Sequence, residues 1–379
     1  MSDHPTSVGA LLRAAGPDHL PEILADHLRR HHSADLVEVL LADYTLDGLW
    51  PVLDRRKARG AAPSVRCFGS QQPVVDDGPA GTRVHLPLSV WGDRLGVLVV
   101  RTPGHEPDLT EQLAVAADEF ATALRAADRY TDRYRRVRRR QRLTMAAELQ
   151  WDLLPGRSLG DDRFLLAGQL EPAYAVCGDH FDWSLDGDRL TVTVLNGHGD
   201  GLEASLLTAV AVNAMRNARR SGANIVEQAE LASEAVYGHH GGARHAATLL
   251  LEVDLVAGRV EAVDAGSPRA VIARGSAITA VSLEQQLPLG MFGDTRYETQ
   301  HLRLEPADRL LVVSDGVHAA APGGRALYGE SALHDAVRRA RLQPATEAVG
   351  TVMRGLGEYH AGTDPADDAV TVCLDWRRG

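Results

Sequence analysis

Lysine is almost missing from this chain: Lys57 is the only one, and arginine supplies nearly all of the 40 basic residues. The skew belongs to composition and does not by itself point to recognition. Cysteine is scarce as well. Cys67, Cys177 and Cys373 are odd in number and far apart, which excludes a disulfide framework and the paired spacing of a zinc site and fits a reducing compartment. No apolar run reaches the ~18 residues that a membrane span needs. The opening Met1-Ser2-Asp3-His4-Pro5 has neither the basic nor the apolar stretch of a secretion signal, so a cytoplasmic protein without membrane contact is expected. Net positive charge is also lacking. A formal charge of -11 argues against a protein dedicated to nucleic acid, although a local patch could still bind it.

What is present is an ordinary globular composition, 44% hydrophobic over 379 residues, enough for two or three domains. From Ser7 to His32 apolar residues recur at helical spacing, interrupted by Pro17 and Pro21, which predicts two short helices. The period then changes. Ala34 to Tyr44 and Leu49 to Leu53 read as strands, and Val84 to Val100 as a hairpin turning at Trp91-Gly92-Asp93-Arg94. This order, with the paired stretches His85-Leu86-Pro87-Leu88 and Leu95-Gly96-Val97-Leu98-Val99-Val100, resembles a GAF domain over residues 1–108. The resemblance implies either a small-molecule sensor or a structural, dimerising module.

Leu109 to Leu154 is the longest helical pattern, with Leu113, Ala116, Phe120, Leu124, Tyr134 and Val137 along one stripe and no glycine or proline before Pro155. It predicts a helical stalk over 109–156 that pairs with its own copy in a homodimer. Its arginine-rich part, Arg133 to Arg142, reads as a solvated or self-paired helix face; little aromatic interleaving makes nucleic acid an unfavoured partner.

Beyond this, over 157–379, strand patterns cluster in hairpins with helical patterns set between them, at Leu202 to Ala218, Ile225 to Tyr237 and, in two pieces, Glu330 to Tyr359. They predict an α+β fold, a layered β-sandwich flanked by helices. Acidic or amide residues stand at the edges of its apolar strands: Asp179 and Asp182 in Cys177-Gly178-Asp179-His180-Phe181-Asp182, the loop Asn196-Gly197-His198-Gly199-Asp200-Gly201, Asp315 in Ser314-Asp315-Gly316-Val317, and Asp367 with Asp368. Each alone is common turn chemistry. Together they are carboxylates from separate strand ends, and an all-oxygen donor set suits Mg²⁺ or Mn²⁺.

The ordered set resembles the SpoIIE/RsbU branch of the PPM (PP2C-like) Ser/Thr phosphatases. It runs from Ala146-Ala147-Glu148-Leu149-Gln150-Trp151 through Cys177-Gly178-Asp179, the glycine-rich loop, Asp264-Ala265-Gly266-Ser267-Pro268 and Leu287-Pro288-Leu289-Gly290 to Ser314-Asp315-Gly316 and Asp367-Asp368. The resemblance implies a phosphoserine or phosphothreonine phosphatase with two Mn²⁺ or Mg²⁺ ions, in bacterial signalling, acting on a phosphorylated regulatory protein such as an anti-sigma-factor antagonist. It implies Asp179 and the Gly197 carbonyl at one ion, Asp315 and Asp367 at the other, with Asp182 and Asp368 as neighbours and His198 as a candidate general acid. Where the family pattern has a bridging Asp, this chain has Asn196, which offers one carbonyl oxygen and no charge. That departure implies a weaker ion pair, or a single ion, and keeps a second reading open: a PP2C-like domain that binds a phosphoprotein without turnover. Asp200 is the one other carboxylate in the loop, at a position where helix capping is the ordinary role.

Overall fold

The computed structural model describes residues 7–44, 46, 48–54, 60–79, 81–104, 108–140, 144–172 and 176–377. The chain divides into two compact units, residues 1–142 and 143–379, each with its own hydrophobic core.

In the first unit α1 (Val8–Ala14) and α2 (Leu20–His32) lead into β1 (Leu36–Ala42) and β2 (Leu49–Pro51). After these come α3 (Ala62–Ser70), β3 (Val74–Gly78), β4 (Gly81–Val90), β5 (Asp93–Thr102), α4 (Leu109–Ala127) and α5 (Arg133–Arg138). The strands form an antiparallel sheet in the order β2-β1-β5-β4-β3. Trp91 and Gly92, both at positive φ, make the two-residue turn that pairs Val90 with Asp93, as the hairpin pattern predicts. One face of the sheet, with Val39, Leu41, Leu86 and Leu98, is packed against Leu24 and Leu28 of α2 and Leu113 and Phe120 of α4. On the other face Cys67 of α3 joins Leu40, Val97 and Val99.

The helical pattern from Leu109 to Leu154 is not one helix, and the expected stalk is corrected. It divides into α4, α5 and α6 (Met145–Leu153). Tertiary contacts outweigh the uninterrupted helix propensity. Tyr134, 1% exposed, and Val137 turn back into the core that holds Leu113 and Phe120. The Tyr134 hydroxyl donates to the Pro17 carbonyl at 2.6 Å, and the Arg133 guanidinium grips both Glu22 oxygens at 2.6 and 2.8 Å. The stripe offered for self-pairing is thus buried within the first unit, and α4 gives no support to a paired stalk. Much of the arginine run dresses the same sheet: Arg138 donates to the Ala42 carbonyl at 3.2 Å, and Arg140 stacks 3.6 Å above the Trp50 ring. Arg142 lies outside the described residues.

The second unit opens with α6, whose first turn is capped by Thr144 Oγ1 accepting from the Ala147 N–H at 3.2 Å. It continues through β6 (Ser158–Gly160), β7 (Phe164–Glu171), β8 (His180–Asp186), β9 (Arg189–Gly197), α7 (Gly201–Arg220), α8 (Ile225–His240), β10 (Ala246–Asp254) and β11 (Arg259–Ala265). The remaining elements are β12 (Arg269–Arg274), β13 (Ala277–Ala280), β14 (Gln300–Arg303), β15 (Arg309–Val313), α9 (Asp315–His318), α10 (Ala332–Arg339), α11 (Ala345–His360) and β16 (Ala369–Trp376). Two antiparallel sheets form, β14-β11-β10-β9-β8 and β13-β12-β15-β16-β7-β6. Strand alternation sorts the side chains. Val192, Val194, Leu249 and Leu251 face Leu166, Val312, Val370 and Val372 between the sheets. Leu195, Leu250 and Val263 point outward to α7 and α8, while Leu311, Val313 and Cys373 point outward to α10 and α11. The layered sandwich expected from the sequence is the fold of this unit. Strand β8, not evident from the sequence, is masked there by its buried His180 and Asp182.

Candidate metal centre

The acidic positions gather because strand ends meet at one end of the sandwich. Asp179 stands immediately before β8, Asn196 and Gly197 close β9, Asp315 opens α9 directly after β15, and Asp367 leads into β16. Pairing of His180 with Leu195 sets Asp179 beside Asn196. Across the other sheet, the Ser314 N–H donates to the Val370 carbonyl at 3.0 Å and the Val370 N–H to Ser314 Oγ at 2.9 Å, fastening the Asp315 turn to the Asp367 turn. Gly316 is obligatory at this junction, because a Cβ there would run into the Asp368 carbonyl oxygen. Gly197 is likewise tight against the Gly178 carbonyl and Thr208 Oγ1.

The electrostatics are those of carboxylates held together out of water. Asp179 is 1% exposed, and burial, followed by the charges of Asp315 and Asp367, raises its pKa well above the ordinary carboxylate range. Its Oδ2 has no hydrogen-bond partner. Burial and the Asp315 charge push Asp367 up to about 6. Asn196 is 6% exposed, and neither atom of its amide is bonded. Each buried polar atom left unpaired costs on the order of 1–3 kcal/mol, so this end of the fold is destabilised until something fills it. Asp315 is the better satisfied member, accepting from Ser267 Oγ at 3.2 Å and from the Gly316 N–H at 3.0 Å.

Several neighbouring acids have other work. One oxygen of the fully buried Asp368 accepts from the Cys177 N–H at 2.9 Å, the Gly178 N–H at 2.9 Å and Gln150 Nε2 at 2.8 Å. Gln150 Nε2 also donates to the Asp179 carbonyl at 3.0 Å, so α6 braces the turn that carries Asp179. Asp182 is paired with Arg216 at 2.7 Å and Arg219 at 3.2 Å. Asp200 occupies the position before α7, but its side chain makes no capping hydrogen bond. His198 is exposed; its ring stacks on His245, 4.6 Å between centroids and 8° between planes. The bracing role of Gln150 was not read from the sequence. Its signal was an amide on the face of α6 that also carries the buried Ala146 and Ala147.

Among the described residues no group of three or more His, Cys, Asp or Glu side chains is arranged as a finished cation cage. The donors nevertheless fit a hard cation: carboxylates from three chain segments, of which Asp179 and Asp367 are raised in pKa by burial and by the Asp315 charge, an unpaired Asp179 oxygen and an unpaired Asn196 amide. Carboxylates that repel one another do not close into a cage until positive charge stands between them.

A sandwich of two antiparallel sheets flanked by helices, with acidic turns at one end, is a PP2C-like fold. The chain belongs to the SpoIIE family (stage II sporulation protein E), whose sequence profile matches residues 186–377. Asn196, Gly197, Asp315 and Asp367 lie inside that match, and Asp179 lies ahead of it. The phosphoserine phosphatase RsbP of Bacillus subtilis is 22% identical over 183 residues, covering 47% of this chain and 45% of RsbP. The chain therefore spans about half the length of that relative. Of solved structures, the SiaA PP2C domain of Pseudomonas aeruginosa matches with a TM-score of 0.53 at 19% identity, over 62% of this chain and 94% of that domain. The RsbU and RsbW domains of Rv1364c from Mycobacterium tuberculosis match with a TM-score of 0.50 at 22% identity, over 59% and 63% of the two chains. These structural likenesses concern the fold. Among the described residues, no helix is long and apolar enough to cross a membrane.

Proposed function

We propose that the second unit is a cation-dependent phosphatase acting on phosphoserine or phosphothreonine in a cytoplasmic regulatory protein. The observation that carries this reading is the set of unsatisfied buried donors, Asp179 and Asn196, beside Asp315 and Asp367. In this reading Asp179 and the Gly197 carbonyl would hold one Mn²⁺ or Mg²⁺, Asp315 and Asp367 would hold a second, and Asn196 would offer its single amide oxygen to one of them. Bound there, such ions lower the pKa of a coordinated water and neutralise charge on the phosphoryl oxygens. Ser267 and the Gly316 N–H orient Asp315, and Asp368 with Gln150 holds the Asp179 turn in place. His198, exposed at the rim, is the candidate proton donor to the leaving serine oxygen. The naming of RsbP as a phosphoserine phosphatase supports the reaction class, and an anti-sigma-factor antagonist as the kind of partner rests on the SpoIIE/RsbU resemblance. The first unit is the regulatory module of this reading; its sheet order β2-β1-β5-β4-β3 with helices on both faces supports a GAF-like domain.

Asn196 favours a second reading, a binding domain for phosphoproteins that does not turn them over. Hydrolysis of a phosphoserine peptide with Mn²⁺ decides between them. The phosphatase reading requires an active wild type that Asp315→Asn abolishes. Turnover by Asn196→Asp alone, with a silent wild type, establishes the binding domain.

A further inference from the structure

Next to the acidic centre lies a basic lip that the acidic residues do not account for. The β9–β10 pairing sets Asn196 opposite Ala247 and Gly197 opposite Ala246, and the His198 N–H continues it by donating to the His245 carbonyl at 3.1 Å. This holds the loop after Asn196 against the segment before β10, where Arg244 and His245 stand. The stacked rings of His198 and His245 lock the two segments together from the side. Arg244 then lays its guanidinium over the backbone of Gly199: a Cβ at Gly199 would collide with it, and Gly199 also takes a positive φ of 111°. The positive φ is what calls for glycine there.

Arg244 is half-buried and has no ion-pair or hydrogen-bond partner among the described residues. Other arginines of the same unit are occupied: Arg163 by Asp161, Arg216 and Arg219 by Asp182, Arg274 by Asp308, and Arg309 by Asp375. In a chain of net charge -11, an unpaired guanidinium over the loop that follows Asn196 is a reserved positive charge. Asp200 follows Gly199 directly in the chain and forms no ion pair with Arg244 among the described residues; Glu203 of α7 and Arg244 both act electrostatically on His240. Gly199 is three residues from Asn196, so their Cα atoms are at most about 11 Å apart, and the guanidinium stands over Gly199. A planar fork of N–H donors at that place matches the oxygens of a phosphate.

We propose that Arg244 is the phosphoryl-binding residue of this site, presented by the Gly199 turn and the His198–His245 stack. The inference rests on the phosphatase reading for the reaction, but not for the binding. The ligand it selects is a phosphoserine or phosphothreonine dianion, in preference to the acidic side chains of a protein partner.

The test uses the full chain and one fluorescent phosphoserine peptide beside its unphosphorylated twin. Anisotropy is read with Mn²⁺ in the Asp315→Asn background, and steady-state hydrolysis in the otherwise wild-type protein. Arg244→Ala should weaken phosphopeptide binding by about tenfold or more and raise KM by a similar factor, with kcat changed by no more than about threefold. Arg244→Lys should recover part of the loss, and the unphosphorylated peptide should not respond. Arg244→Gln, closer in shape, replaces the alanine variant should the latter fail to fold. The assignment is overturned by unchanged phosphopeptide binding, by equal losses for both peptides, or by the loss appearing in Arg269→Ala instead. Binding that depends on Arg244 in a protein without turnover keeps the assignment and removes the phosphatase reading. Turnover with binding indifferent to Arg244 does the reverse.

Discussion

Asp179 and Asp182 stand three residues apart in the chain and are buried alike, 1% and 2% exposed, yet they belong to opposite kinds of site. Asp182, beneath α7, is met by Arg216 and Arg219, and Arg216 reaches on to the Leu153 carbonyl at 2.7 Å, so charge is matched and strand, helix and α6 are joined. Asp179, at the end of the sandwich, faces other carboxylates and keeps an oxygen unbonded. Burial alone therefore does not mark function. A buried carboxylate already neutralised holds the fold, and one left among like charges is raised in pKa.

The comparison breaks first at Asp182. Replacing it with Asn strands two guanidinium groups under α7, and the expected loss is about 3–5 kcal/mol of unfolding free energy, read by urea denaturation. Asp179→Asn should do the contrary in cation-free protein at neutral pH, leaving stability equal or higher while abolishing Mn²⁺-dependent hydrolysis. A marked loss of stability there would make Asp179 a structural acid like Asp182.

Titration sharpens the same contrast. The folded pKa values of Asp179 and Asp367 lie above the unfolded value of 3.8, that of Asp367 at about 6. The folded state accordingly binds these protons more tightly than the unfolded chain. Their stabilisation is full below the unfolded pKa and is lost as pH rises, for Asp367 through about 6. Cation-free protein should show a melting temperature that falls between about pH 4.5 and 7, less steeply in Asp367→Asn, and Mn²⁺ at pH 7 should restore it. Identical pH slopes in the two proteins would remove Asp367 from the repelling set.

Smaller effects follow at the braces. Gln150→Ala removes two hydrogen bonds, one to a buried carboxylate, and should cost about 1–3 kcal/mol while weakening Mn²⁺ binding measured by calorimetry. Glu22→Gln, which breaks a half-exposed ion pair with Arg133 in the first unit, should change stability by no more than about 1 kcal/mol and leave Mn²⁺ affinity unaltered.

Most of the second unit was legible in the sequence because its signals are local. Strands such as Phe164–Glu171 and Ala246–Asp254 announce themselves by apolar runs bounded by turn residues, and Asp-Gly and Gly-rich loops mark where the chain must reverse. The first unit hid more. The path from Leu109 to Leu154 carries no local helix breaker, and only the capping Thr144 hinted at a new start. Helix α3, short and with small apolar residues, carried no clear period.

Hydrophobic periodicity and turn chemistry are properties of a few consecutive residues, so the sequence by itself determined the strands with apolar runs, the acidic turns and the amide at position 196. It did not determine which acids keep their charge free. Asp179, Asp182, Asp367 and Asp368 are the same residue in two short acidic stretches, and only the tertiary structure brings Arg216 and Arg219 to one, Gln150 and two backbone N–H groups to another, and further carboxylates to the remaining two. Pairing is decided by partners far away in the chain, and the desolvation that makes pairing matter exists only once the core has closed.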